Sequence, residues 1–76
     1  MRKILYQCET ELGMMYIVQI SQGKYLLAND CEEFDTADTA KSVADNVYTH
    51  HSGWDDWDES DFEGPIDLSE WERISK

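Results

Sequence analysis

Apolar positions along this chain come first in three short blocks and then change period. Lys3–Cys8 (KILYQC) is short and rich in strand formers. Met14–Ile20 (MMYIVQI) carries no charge and is dense in β-branched and aromatic residues, and Lys24–Ala28 (KYLLA) closes the series. Each block predicts a β-strand. The gaps between them are turns: ETELG closes on glycine, and SQG places Gly23 where a positive φ is available at no steric cost. Parallel neighbours require a crossover of about a dozen residues or more, so two tight connections in succession predict an antiparallel meander.

Beyond a polar linker, Asn29 to Glu33, the period lengthens. Ala37, Ala40, Val43, Ala44, Val47 and Tyr48 fall on one stripe of a 3.6-residue helix, with Asp38, Ser42, Asp45 and Asn46 opposite. The spacing predicts a helix over about Thr36–Thr49. Asp35 or Thr36 is the expected cap, and Asp38 the acid in the first turn, where the helix dipole favours it. The helix is expected to end near His50–His51 and to lay its stripe on one face of the sheet.

The pattern weakens from Ser52 onward. Gly53 closes the helix region, and Trp54 to Glu63 reads as a short helix or an ordered loop. Gly64-Pro65 is a break. Leu68, Trp71 and Ile74 are spaced by three, and Ser69 with Glu72 fits S-x-x-E, which favours a last helical turn. A fourth strand over Glu70 to Ser75 is the competing reading. The expected fold class is α+β: a three-stranded antiparallel β-meander with one packed α-helix and an acidic, aromatic-rich C-terminal segment. It is expected to form a single domain divided into 1–28, 29–51 and 52–76.

Size and charge sharpen this picture. With 76 residues, the folded chain buries only about 60% of the surface its unfolded form exposes. Three Trp and four Tyr supply the large side chains that one small core needs, and distinguish the chain from disordered acidic sequences. The net charge is −11. Residues 1–28 carry a net +1 and residues 29–76 a net −12, so the charge belongs to the last two thirds. Self-repulsion of that size opposes folding, and attraction of a basic partner is the compensating use for it.

Other chemistries find little support in the sequence. Nothing in the spacing joins Cys8 or Cys31 to His50 or His51 as a nucleophile and its base. Consecutive solvated acids do not raise one carboxyl selectively for general acid catalysis, and no glycine-rich loop precedes a helix. The expectation is a protein that is not an enzyme and holds no cofactor. Asp56, Asp58 and Ser60 imitate the start of an EF-hand loop. The sixth position, however, is Asp61 instead of glycine, and the twelfth is Asp67 instead of glutamate. The cysteines and histidines lack zinc spacing, and two cysteines do not make a secreted disulfide framework. No apolar run approaches the ~20 residues of a membrane span, and the opening MRKILYQCETE reads as a first strand, not a signal peptide. A cytoplasmic protein with reduced thiols is expected.

The stretch GWDDWDESDFEG, Gly53 to Gly64, is where the charge concentrates. Six of the nine residues from Asp55 to Glu63 are acids, and no base stands between Asp55 and Glu72. Duplex DNA presents one negative charge per ~1.7 Å of axis, and proteins that grip it line up Lys and Arg. Carboxylates held at comparable spacing fit the same groove and steer the protein toward it. The expected contacts are Asp55, Asp56, Asp58, Glu59, Asp61 and Glu63, extended by Asp30, Glu32, Glu33, Asp35 and Asp38. The expected partner is a basic nucleic-acid-binding protein or ribonucleoprotein complex, with no membrane; the chain's own charge disfavours direct binding to nucleic acid. Trp54, Trp57 and Trp71 have two readings, as core residues closing over the sheet or, one or more of them together with Phe62, as exposed interface anchors.

The run from KYLLA through the helix to SGWDDWDESDFE is similar in layout to the Cas9-inhibiting anti-CRISPR proteins that act as DNA mimics: strand, acidic turn, helix, then a Trp and a dense acidic string. The resemblance covers roughly residues 24–63 and is one of layout and composition. It implies a small phage-encoded inhibitor that works stoichiometrically, sitting in a basic channel of a CRISPR–Cas effector and blocking its substrate. Two other readings are binding of a host factor, such as a polymerase subunit, through exposed aromatics, and service as the acidic partner subunit of a basic protein.

Overall fold

Strands β1 (Lys3–Thr10), β2 (Gly13–Ser21) and β3 (Lys24–Ala28) form the expected antiparallel meander. The computed structural model describes residues 2–74. Both hairpins turn over two residues, with Thr10 opposite Gly13 and Ser21 opposite Lys24. Gly23, inside the second turn, takes φ 75°, and Gly13, the residue that follows the first turn and opens β2, takes φ 110°. The Thr10 hydroxyl fastens the first turn, accepting from the Leu12 N–H and donating to the Gly13 carbonyl.

The sheet has five strands among the described residues, not three; with β4 (Glu33–Ala37) and β5 (Glu72–Arg73) the order is β4-β3-β2-β1-β5, all antiparallel. Strand β4 (Glu33–Ala37) occupies residues expected in the linker and the first helical turn. The Asn29 side-chain oxygen accepts from the N–H groups of both Cys31 and Glu32, which reverses the chain at once and returns it along β3. A register shift between the Leu26–Thr36 and Ala28–Glu33 pairs places Phe34 and Ala37, an odd number apart, on the same face.

The helix α1 is therefore shorter than expected, Ala40–Tyr48, and its cap is Thr39 instead of Asp35 or Thr36. The Thr39 hydroxyl oxygen accepts from the Ser42 N–H at 3.0 Å. Asp38 precedes the cap and lies outside the first turn. Val43, Ala44 and Val47 carry the apolar stripe into the core. They pack on the sheet face formed by Met15, Ile17 and Leu27, with Trp54, Trp57 and Trp71 completing the cluster.

After α1 the chain makes one helical turn, α2 (Asp55–Asp58), then a 3₁₀ turn at Leu68–Glu70 and the short strand β5 (Glu72–Arg73). Each of the two competing readings of the C-terminal part is met only in part: the turn is 3₁₀ and ends at Glu70, and the strand covers two of the residues expected in it. The turn is capped by the Asp67 carboxylate, which accepts from the Ser69 N–H and hydroxyl, instead of by a Ser69–Glu72 box. Strand β5 pairs with β1 at Tyr6–Arg73 and Gln7–Glu72, and the Ile74 N–H continues the ladder to the Leu5 carbonyl. Ser75, the expected end of that strand, lies outside the described residues. No helix is long and apolar enough to cross a membrane among those residues.

Candidate acidic interface

The acidic segment is tied to the fold by its aromatics. Trp54 is 6% exposed and Trp57 fully buried, so these two are core and not exposed anchors. Phe34 of β4 stacks on Trp54 (5.4 Å, 11°), Trp54 on Trp57 (6.5 Å, 24°), and half-buried Phe62 leans on Trp57 at 6.2 Å. This line of rings runs from the sheet edge to the middle of the acidic stretch. The Trp57 indole N–H donates to the Val47 carbonyl at 2.9 Å, fixing α2 to the end of α1.

His50 adds a second tie that the sequence did not announce. Its backbone takes φ 60°, the left-handed turn that ends the helix. That conformation swings the ring over Trp57, where Nδ1 lies 2.9 Å from the Trp57 carbonyl and Nε2 3.0 Å from the Phe62 carbonyl. Both partners are carbonyl oxygens, so each ring nitrogen faces an acceptor.

The acids divide by what they do. Asp58 is half-buried and internally committed: one carboxylate oxygen accepts from the Ser52 N–H and hydroxyl, the other from the Gly53 N–H. It holds the turn before α2 and has little capacity left for a partner. Asp55, Asp56, Glu59, Asp61 and Glu63 are exposed. Across from the first two, Glu32 and Glu33 line a common cleft of about 320 Å³ with Phe34 and Trp54, although the pairs stand more than twenty positions apart in the chain. The Asp35 carboxylate approaches Gly53 so closely that a Cβ there would lie 2.6 Å from its Cγ. The β4 turn thus brings Glu32, Glu33 and Asp35 beside the start of α2.

Two acids near this cleft are pinned by neighbours. Arg2 donates from Nε and a terminal nitrogen to the two oxygens of Glu33, at 2.6 and 2.8 Å, and holds that carboxyl below the usual glutamate range. The Tyr16 hydroxyl donates to Asp30 at 2.7 Å, which pushes the phenol up. Cys8 is half-buried and its thiol is pushed up, by burial first and then by the charge of Glu70; Cys31 is exposed and unbridged. Among the described residues no group of three His, Cys, Asp or Glu side chains gathers in a way that could hold a metal ion.

Compared with family models, curated proteins and solved structures, the chain matches none.

Proposed function

We propose that this chain is a stoichiometric protein inhibitor of a basic nucleic-acid-binding complex, acting in the cytoplasm by occupying the complex's nucleic-acid channel with a fixed acidic face. One observation carries the reading: Glu32 and Glu33 from the β4 turn and Asp55 and Asp56 from α2 converge on one cleft. The segment that bears α2 is anchored through buried Trp54 and Trp57. Carboxylates on an anchored backbone lose little conformational freedom on binding, which is the advantage of a preorganised surface. Glu59, Asp61 and Glu63 are exposed on the same segment and are assigned to the same footprint by this reading, and Asp58 serves it from within by holding the turn before α2. A CRISPR–Cas effector is the proposed target because of the strand, acidic turn, helix and acidic-string layout.

The test is a competition assay. A CRISPR–Cas effector ribonucleoprotein is mixed with its target duplex and increasing amounts of the chain, at low and high salt. Inhibition is expected to saturate at a fixed stoichiometry and to weaken steeply with salt. The combined variant Asp55→Asn, Asp56→Asn and Glu59→Gln is expected to lose most of it. Inhibition that survives neutralisation of these acids sinks the charge-mimic reading. Salt-dependent binding to a basic protein without any loss of its nucleic-acid binding assigns the chain instead to the role of an acidic partner subunit.

A further inference from the structure

The sheet face turned away from α1 has a cluster of its own. Val18, Leu26 and Ala28 are buried there, flanked by Tyr16 and Ile20 and separate from the main core. A bulge in β1 between the Ile4–Val18 and Tyr6–Ile17 pairs sends Ile4 to this face while Tyr6 and Cys8 join the main core. The result is a depression of about 620 Å³ floored by Ile4, Tyr16, Val18 and Ala28 and walled by the Asn29–Glu33 turn. Its rim is acidic: Asp30, Glu32 and Glu33 stand against Arg2, and Arg2 is already engaged by Glu33. Glu32 and Glu33 also line the acidic cleft, so they form the ridge between the two depressions.

We infer that this trough is the second half of the partner footprint, taking an extended basic segment of the target protein with an apolar side chain seated on Ile4, Val18 and Ala28. The inference rests on the acidic-face reading and adds to it a contact that salt does not screen. Charge complementarity selects the occupant. The rim carries uncompensated negative charge, and the hydroxyl of Tyr16 and the guanidinium of Arg2 hold two of its acids in place before anything binds. A second copy of this chain is a poor occupant, since it brings a net −11 to the same rim.

The experiment titrates the ¹⁵N-labelled chain with three blocked heptapeptides. One has two lysines at each end around Val-Leu-Val, one the same lysines around Ser-Gly-Ser, and one two glutamates at each end around Val-Leu-Val. The first is expected to bind about tenfold more tightly than the second and to shift the amides of Ile4, Val18, Ala28 and Glu32; the third is expected not to bind. Ile4 is 43% exposed and outside the main core, and Ile4→Ser is expected to erase most of the tenfold difference while leaving the Ser-Gly-Ser peptide unaffected. Equal binding of both lysine peptides, with shifts confined to the acids, overturns the trough and leaves the acidic face standing. Failure of both lysine peptides overturns the two together. Binding of the glutamate peptide, or a concentration-dependent dimer that protects the same amides, overturns the basic occupant.

Discussion

The imidazole of His50 lies flat on the indole of Trp57, with ring centroids 5.3 Å apart and planes 2° from parallel. The same ring reaches the Trp57 and Phe62 carbonyls through its two nitrogens. One side chain at the end of α1 thereby organises the backbone that carries Asp58 to Asp61. The cost is a left-handed backbone at a residue with a Cβ, φ 60°.

Two substitutions separate the clasp from that cost. His50→Ala loses the ring's contacts with the two carbonyls and the stack but keeps the left-handed strain, and is expected to destabilise the fold by about 1–3 kcal/mol. His50→Gly loses the same contacts and relieves the strain, so it is expected to be about 1 kcal/mol less harmful than alanine. Urea unfolding followed by tryptophan fluorescence measures both. Glycine faring worse than alanine would show that the backbone at this position carries no strain.

Two tryptophans make an opposite pair. The Trp57 indole nitrogen donates to Val47, whereas the Trp71 nitrogen is buried with no hydrogen-bond partner among the described residues. Trp57→Phe is expected to cost about 2–3 kcal/mol, from the lost hydrogen bond and the space left around a fully buried ring. Trp71→Phe removes an unsatisfied donor together with the extra ring, so those effects offset and the cost is expected to stay below about 1.5 kcal/mol. Equal losses in unfolding free energy would mean that the Trp71 N–H is satisfied in solution.

Much of the framework is legible in the sequence because it rests on local signals. The meander follows from three strand-rich blocks with glycine-bearing turns, and the core face of α1 from the spacing of Val43, Ala44 and Val47. Strand β4 is hidden for a physical reason. EFDTA carries two acids, and its bulge puts Phe34 and Ala37 on one face, so neither a period of two nor a continuous apolar run marks it. Asp35 and Thr36 are good capping residues and so compete with Thr39 for the helix start; pairing with β3 decides between them. In the acidic segment, composition locates the charge but cannot rank the acids. Asp58 is distinguished from Asp55 and Asp56 only by folding back on Ser52 and Gly53.

Gly64 offers a test of how tightly the aromatic line is packed. A Cβ on Gly64 would lie 2.7 Å from Cζ2 of Trp57, a ring with no exposure and no room to yield. Gly64→Ala is therefore expected to destabilise by about 1–3 kcal/mol and to perturb the Trp57 near-ultraviolet signal. At Gly53 the clash is with the end of the exposed Asp35 side chain, which can swing away, but φ 91° remains unfavourable for alanine. In a Gly53→Ala background, Asp35→Ala is expected to restore only part of the lost stability. Full restoration would place the whole cost in the carboxylate contact and none in the backbone.

The Arg2–Glu33 pair sets a pH dependence whose sign is fixed by geometry. The guanidinium hydrogen bonds, and then its charge, hold the Glu33 carboxyl below its ordinary value. Such a group contributes stability that is fully present above the unfolded value and is lost as pH falls through the lowered folded value. Both partners are exposed, so the effect is small and screened by salt. Glu33→Gln is expected to lower the thermal midpoint slightly at neutral pH, with the difference vanishing once the parent's own Glu33 is protonated, below the usual carboxylate range. Tyr16 works in the other direction. Its phenol is raised chiefly by the hydrogen bond to Asp30, so its contribution is present below the ordinary tyrosine range and is lost as pH climbs through the raised value. Tyr16→Phe is expected to differ from the parent at neutral pH and to converge with it in strong alkali. Thermal melts of the parent and both variants across the pH range check the two together. A Glu33→Gln difference that persisted unchanged into acid would show that the ion pair contributes nothing, and that the glutamine alters the β4 turn by some other contact.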